Sequence, residues 1–291
     1  MKLLAHAKIN LTLDVVRRRP DGYHEVDMIL QSLALADEVA LETLPDEPGV
    51  IRLSCGVPGV PEDERNLAWR AAAALREERP FAPGLSITLD KRVPAAAGLA
   101  GGSADAAAVL AGVNRLFGLG LSAEELAAVG LRLGADVPFC LTGGTARARG
   151  IGEKLERLPA PPEAAVLLAK PAEGVSTAAV YGALRIETRG AYPHVRTEEA
   201  VRALAAGSLE ALAGAGGNLL QEVTQPMLPV VGELADIMKR EGALTALMSG
   251  SGPTVFGIFA DAGGAARAAR ALPEGIWRTV TAFSREGVSF A

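Results

Sequence analysis

From residue 8 to residue 15 polar and apolar side chains alternate: Lys8, Asn10, Thr12 and Asp14 against Ile9, Leu11, Leu13 and Val15. A period of two predicts a half-buried strand carrying its four polar groups on one face. Pro20-Asp21-Gly22 supplies turn chemistry and residues 26–35 resume an extended apolar pattern, so the two segments predict a long hairpin. Further short strands are expected at 39–44, 51–55 and 85–89. Between them the alanine-rich segment 66–79 keeps Leu67, Arg70, Ala74 and Leu75 at helical spacing and predicts a helix.

Helical periodicity returns from Asp105 through Ala106, Leu110, Val113 and Phe117. Ser122-Ala-Glu-Glu125 is a capping box that opens another helix through Leu126, Val129 and Leu133, with Gly134 at its end. An extended piece at 145–158 leads into a proline-rich stretch at 159–162, the expected boundary between lobes 1–160 and 161–291. Beyond it the pattern predicts a strand at 164–169, a helix at 176–185, a polar stretch at 187–197 and three helical segments up to about Arg240. A hairpin at 244–259 around Ser249-Gly-Ser-Gly-Pro253, an alanine-rich helix and a last strand at 277–283 complete the chain. Strands interleaved with helices in irregular order, without a repeat, read as α+β in two lobes.

At 291 residues and 49% hydrophobic composition the chain can bury a large core. A formal net charge of -5 and a single basic run, Arg17-Arg18-Arg19, argue against nucleic acid as a partner, because affinity there comes from neutralising phosphates. Two cysteines without CxxC spacing or a histidine grouping fit a reducing cytoplasm and offer no metal ligand set. The first residues include Lys2 and Lys8 and lack the continuous apolar core of a secretion signal, and no window is long and apolar enough to cross a membrane. The expectation is a cytoplasmic protein that is not secreted.

The most informative stretch runs from Val93 to Ala108, a side-chain-poor loop leading straight into a helix. Gly98, Gly101 and Gly102 free the backbone so that successive N–H groups can face one anion in front of the positive helix end, with Ser103 at the expected cap. Read alone, the loop serves equally as a packing turn. Two commoner phosphate loops are excluded by spacing: no lysine follows Gly101 or Gly102, and neither this loop nor Gly250-Ser251-Gly252 has the third glycine of the dinucleotide fingerprint.

Five stretches together change the reading: Ala7-Lys-Ile-Asn10, Arg19-Pro-Asp-Gly-Tyr-His24, the glycine loop, Gly134-Ala-Asp-Val-Pro-Phe139 and Met248-Ser-Gly-Ser-Gly-Pro253. In this order the set resembles the small-molecule kinase superfamily named for galactokinase, homoserine kinase, mevalonate kinase and phosphomevalonate kinase (GHMP). The resemblance is closest to its branch acting on a cytidine-diphosphate-linked methylerythritol. It implies a lobe like ribosomal protein S5 domain 2, a ferredoxin-like second lobe, a small-molecule substrate in the cleft between them, and ATP with Mg2+. It implies that Asp136 takes the proton of the accepting hydroxyl and that Lys8 is the cation beside it. On the ATP side it implies Pro94, Ala96, Ala97, Gly98, Leu99, Ala100, Gly101, Gly102, Ser103, Ala104, Asp105 and Ala106, with Asn66 and Lys91 bordering the base or ribose. For the substrate it implies Asn10, Tyr23, His24 and Tyr181, the last three around the cytosine, and Gly250, Ser251 and Gly252 near the phosphates. Tyrosine rings stack on pyrimidines and histidine can bond a cytosine edge.

Two departures stand out from the family's fullest loop, Gly-Leu-Gly-Gly-Gly-Ser-Ser: Ala100 replaces the middle glycine and Ala104 the second serine. Alanine at 100 is expected to avoid the glycine-like φ while keeping its N–H, and the lost hydroxyl at 104 puts any phosphate or magnesium role there in doubt. A sister kinase acting on homoserine, mevalonate or a sugar, and a noncatalytic nucleotide or RNA binder, remain the competing readings.

Overall fold

Two strands, β1 (Lys2–Arg18) and β2 (His24–Leu44), form one antiparallel ribbon, turned where Gly22 takes φ +89 and Arg19 N donates to Tyr23 O at 2.7 Å. The strands expected separately at 26–35 and 39–44 are therefore one. The computed structural model describes residues 1–291, apart from the side chains at 188, 189 and 191. Part of the polar stretch expected at 187–197 thus lies outside the described residues.

β3 (Ile51–Ser54) and β4 (Gly84–Asp90) extend the ribbon to give the order β1-β2-β4-β3, while β5 (Thr145–Gly150) pairs with β2 and β6 (Lys154–Arg157) with β5. Two strands of this sheet come from far along the chain. β8 (Gly217–Asn218) lies parallel to β1 at Thr12 and Leu13, and β12 (Val288–Phe290), absent from the sequence reading, pairs with β1 at Leu3 to Ala5.

Three helices follow the expected signals. α1 (Leu67–Glu78) is capped by the Asn66 side chain, which accepts from Ala68 N at 2.9 Å, and α3 (Ala123–Leu133) carries both halves of the Ser122/Glu125 capping box. α2 (Gly101–Leu116) begins earlier than expected, so Gly101, Gly102 and Ser103 form its first turn and Ala100, not Ser103, is the N-cap. It packs tightly on the sheet at Gly112, where a methyl group would lie 2.4 Å from Leu41 Cδ1. A short helix the pattern did not show, α4 (Val137–Thr142), starts from Asp136 with Pro138 in its first turn.

The second sheet has the order β11-β7-β10-β9, all antiparallel, from β7 (Ala165–Lys170), β9 (Thr245–Met248), β10 (Val255–Phe259) and β11 (Trp277–Ala282). With α5 (Thr177–Ala183) after β7 and α10 (Ala262–Ala271) before β11, this is a ferredoxin-like arrangement. Between α5 and β9 the described residues form four α-helices instead of three helical segments: α6 (Thr197–Ala206), α7 (Leu209–Ala215), α8 (Leu219–Met227) and α9 (Val230–Arg240). The α+β, two-lobed expectation holds. Among the described residues no helix is long and apolar enough to cross a membrane.

The strand expected to be half-buried is buried on both faces: Ile9, Leu11, Leu13 and Val15 are at most 3% exposed, and Lys8, Asn10 and Thr12 at most 4%. Its polar groups do not all share a face. The register slips between Asn10 and Thr12, a bulge that reverses the alternation. Lys8, Asn10 and Leu13 consequently face one cavity, whereas Thr12 turns away and its Oγ1 accepts from Ile29 N at 3.0 Å.

Candidate active site

A cavity of about 730 Å³ opens between the first turn of α2, strand β1, the turn before α4 and the β9–β10 turn of the second lobe. Gly101, Gly102 and Ser103 precede the first intrahelical bond, Ala104 N to Ala100 O at 2.9 Å, so their N–H groups have no partner within the helix and sit at its positive end. Ala100 takes φ +56 and Ala96 φ +49, both left-handed. The expectation that alanine at 100 would avoid this conformation is wrong, because the loop geometry dictates the angle. An alanine there costs roughly 1–2 kcal/mol that glycine escapes, offset partly by glycine's entropy. Ala100→Gly is therefore expected to raise stability by about 0.5–1 kcal/mol, read from urea unfolding midpoints.

Lys8 is central. Its side chain is 5% exposed, and Nζ donates to Asn10 Oδ1 at 2.9 Å and Gly98 O at 3.3 Å and lies 3.9 Å from Asp136 Oδ2. Asn10 is fixed from its other end, since Nδ2 donates to Met28 Sδ at 3.2 Å. Asp136, with a side chain 35% exposed, caps α4 by position but makes no side-chain cap bond, which leaves the carboxylate turned to the cavity.

The expected ATP-side residues divide. Pro94, Ala96, Ala97, Gly98, Ala100, Gly101, Gly102, Ser103 and Asp105 line the cavity, as do Asn66 and Lys91. Leu99, Ala104 and Ala106 do not; their side chains are buried in apolar clusters. A serine hydroxyl at 104 would thus have faced the core, so its absence removes nothing from the cavity. Asn66 spends both ends of its amide on structure, capping α1 and donating to Pro61 O at 2.8 Å.

Lys91 offers no free cation. Its ammonium is bonded to Asp37 and, at 2.6 Å, to Asp105 Oδ2 beneath the α2 turn. The second Asp37 oxygen accepts from Arg92 N and Val93 N at 2.6 and 2.7 Å and so pins the entry to the loop. Asp105 Oδ1 is buried without a partner. Burial pushes the Asp105 carboxyl well above the usual range; Lys91 pulls it down and Asp37 pushes it further up. A carboxyl raised in the folded state contributes stability that is complete below about pH 4 and lost as pH climbs through the raised value. Asp105→Asn should flatten that decline and be the more stable protein at pH 8, measured by urea unfolding across pH 4–9.

On the acceptor side Tyr181, Gly250 and Ser251 line the cavity. His24 packs on Tyr181 with ring centroids 5.0 Å apart, and burial followed by the charge of Asp136 pushes the Tyr181 hydroxyl up to about 12. Tyr23 stands 61% exposed on the hairpin, outside the cavity lining, and Gly252 is buried behind the turn. Sequence reasoning missed Met28, Thr177 and Leu220, which also line the cavity. Only Thr177, beside the cap Ser176, carried any local signal.

Comparison with known proteins gives a consistent answer. The family model "GHMP kinases N terminal domain" matches residues 66–144 and "GHMP kinases C terminal" matches 198–276. The 4-diphosphocytidyl-2-C-methyl-D-erythritol kinase of Bacillus velezensis is 50% identical over 254 residues, 87% of this chain and 86% of its own. A crystal structure of 4-(cytidine 5'-diphospho)-2C-methyl-D-erythritol kinase superposes with TM-score 0.82 at 36% identity, covering 98% of this chain and 99% of the other. Homoserine kinase from Cytophaga hutchinsonii superposes with TM-score 0.79 over 99% and 96% of the two chains, and at 20% identity shows the shared fold alone.

Proposed function

Because this chain belongs to the 4-diphosphocytidyl-2-C-methyl-D-erythritol kinase family of the GHMP kinases, we propose that it transfers the γ-phosphoryl group of ATP to the 2-hydroxyl of that cytidylylated methylerythritol. The step belongs to the nonmevalonate route to isopentenyl diphosphate. The observation that supports it most is the approach of Lys8 Nζ to Asp136 Oδ2, 3.9 Å, in one cavity with the unpaired amides of the α2 turn.

Phosphoryl transfer asks little covalent chemistry of a protein; positioning and charge stabilisation carry it. The N–H groups of Gly101, Gly102 and Ser103 hold the nucleotide's phosphates at the helix end. Asp136 accepts the proton of the attacking hydroxyl. Lys8 faces the transferring group with its positive charge, and Asn10, on the same face of β1, orients the acceptor. Among the described residues no group of three His, Cys, Asp or Glu could hold an ion unaided. The Ser103 hydroxyl and the Asp136 carboxylate would help hold a magnesium ion arriving with ATP, and such an ion would supply positive charge at the phosphates.

The cytosine lies at the end formed by His24 and Tyr181, with Tyr23, exposed on the adjoining hairpin turn, available to stack on its other side. We keep 1–160 and 161–291 as the two lobes, with 217–218 and 288–290 returning to the first sheet. The unpaired Cys55 and Cys140 fit a cytoplasmic setting. The test is ADP release: the cytidylylated acceptor should elicit it, with CMP competing against the acceptor and not against ATP. Turnover of homoserine, mevalonate or galactose in its place would overturn the substrate assignment.

A further inference from the structure

Helix α8 turns a row of polar side chains toward the β9–β10 turn of the second lobe. Asn218, its cap, is 6% exposed; Nδ2 donates to Met248 O at 2.7 Å and Gly250 O at 2.8 Å, while Oδ1 accepts from Leu220 N at 2.9 Å. Three residues on, Gln221 Oε1 accepts from Met248 N at 2.8 Å, and after another three Thr224 Oγ1 donates to Ser251 O at 3.3 Å. Positions 218, 221 and 224 lie on one helix face. Together they hold the backbone of 248–251.

That turn in turn grips the glycine loop of the first lobe. Ser249 Oγ donates to Gly98 O at 2.9 Å, Thr254 N reaches Ala97 O at 3.4 Å, and a methyl group at Gly98 would lie 2.3 Å from Ser249 O. The same Gly98 O accepts from Lys8. Asn218 is also the residue of β8 that pairs with Leu13 of β1, the strand carrying Lys8 and Asn10. It therefore touches both arms of the cavity without lining it.

We propose that the polar face of α8, headed by Asn218, is a positioning device that sets the nucleotide-phosphate loop from the second lobe through the 248–251 turn. It rests on the ATP-binding reading above and assigns Asn218, Gln221 and Thr224 as positioning residues. A helix cap needs only the Asn218 oxygen; the turn needs its two N–H bonds. Asn218→Asp separates these, because aspartate caps as well as asparagine yet presents an acceptor to two carbonyls. Thr224→Val is a milder second variant that removes one hydroxyl in nearly the same shape.

The experiment is calorimetric titration of both variants and the parent with a nonhydrolysable ATP analogue, which yields Kd and the binding-competent fraction, together with thermal unfolding. Asn218→Asp should weaken Kd at least tenfold and Thr224→Val at least threefold in the competent fraction. A lowered Tm or competent fraction with Kd within twofold of the parent in both variants is what a purely structural role gives, and it overturns the proposal. Should Asn218→Asp not fold, the threefold threshold on Thr224→Val decides. If the parent binds the analogue yet phosphorylates no cytidylylated acceptor, the substrate assignment fails and this result still stands.

Discussion

Exchanging Asp136 for asparagine is expected to lower kcat by about 10²–10⁴-fold, the span of a positioned general base, while leaving ATP-analogue affinity within a few-fold. Two carboxylates line the cavity, and Asp105 is buried and bonded to Lys91. Tyr181, with its hydroxyl pushed up to about 12, stays protonated near neutrality. On the proposed function Asp136 is the proton acceptor, and it is the carboxylate of the cavity not bonded to Lys91. Asparagine preserves shape and leaves α4 without any lost cap bond, so the structural loss is confined to the 3.9 Å ion pair with Lys8, which keeps its bonds to Asn10 and Gly98. Single-turnover rates at saturating ATP and acceptor check the expectation. A variant within tenfold of the parent would remove the base from the mechanism and leave the reaction to positioning and charge alone.

What the sequence made legible was local. The turn at Pro20-Asp21-Gly22, the helix within 66–79 and the capping box at Ser122 and Glu125 rest on interactions within a few residues, and each stands where its pattern put it. The bulge at Asn10 was invisible because register depends on the partner strand; strict alternation kept Thr12 with Lys8, and the structure parts them. Ala100 shows the same limit. Intrinsic preference opposes its left-handed φ, and the contacts of the loop override it. Lys91 reads as a border of the ATP base or ribose, and the sequence gives no sign of Asp37, 54 positions away, that is bonded to it. Asn218 carried no signal, because the carbonyls it bonds lie 30 and 32 positions further along the chain. The shared motifs of the family bridged part of that gap, because they name residues that meet only after folding: Lys8 from β1 and Asp136 from before α4 come within 3.9 Å.

Lys8→Met is expected to cost about 10²–10³-fold in kcat, the loss that follows removal of one preorganised charge-stabilising donor. Methionine fills similar volume without charge, so the change isolates the ammonium. Stability should fall by about 1–3 kcal/mol, because Asn10 Oδ1 loses its buried donor, whereas the Asp136 carboxylate left behind is 35% exposed and regains water, and Gly98 O keeps its bond from Ser249. Lys8→Arg should not restore activity: the side chain is 5% exposed, and a planar guanidinium cannot take the place of a compact ammonium between Asn10 and Gly98. The decisive measurement is the double variant with Asp136→Asn. Groups that act as one unit lose rate nonadditively, so the pair should fall within about tenfold of the worse single variant. If the two losses multiply in full, Lys8 and Asp136 contribute independently to the barrier, and their 3.9 Å approach is an ion pair of the resting cavity without a shared role in transfer.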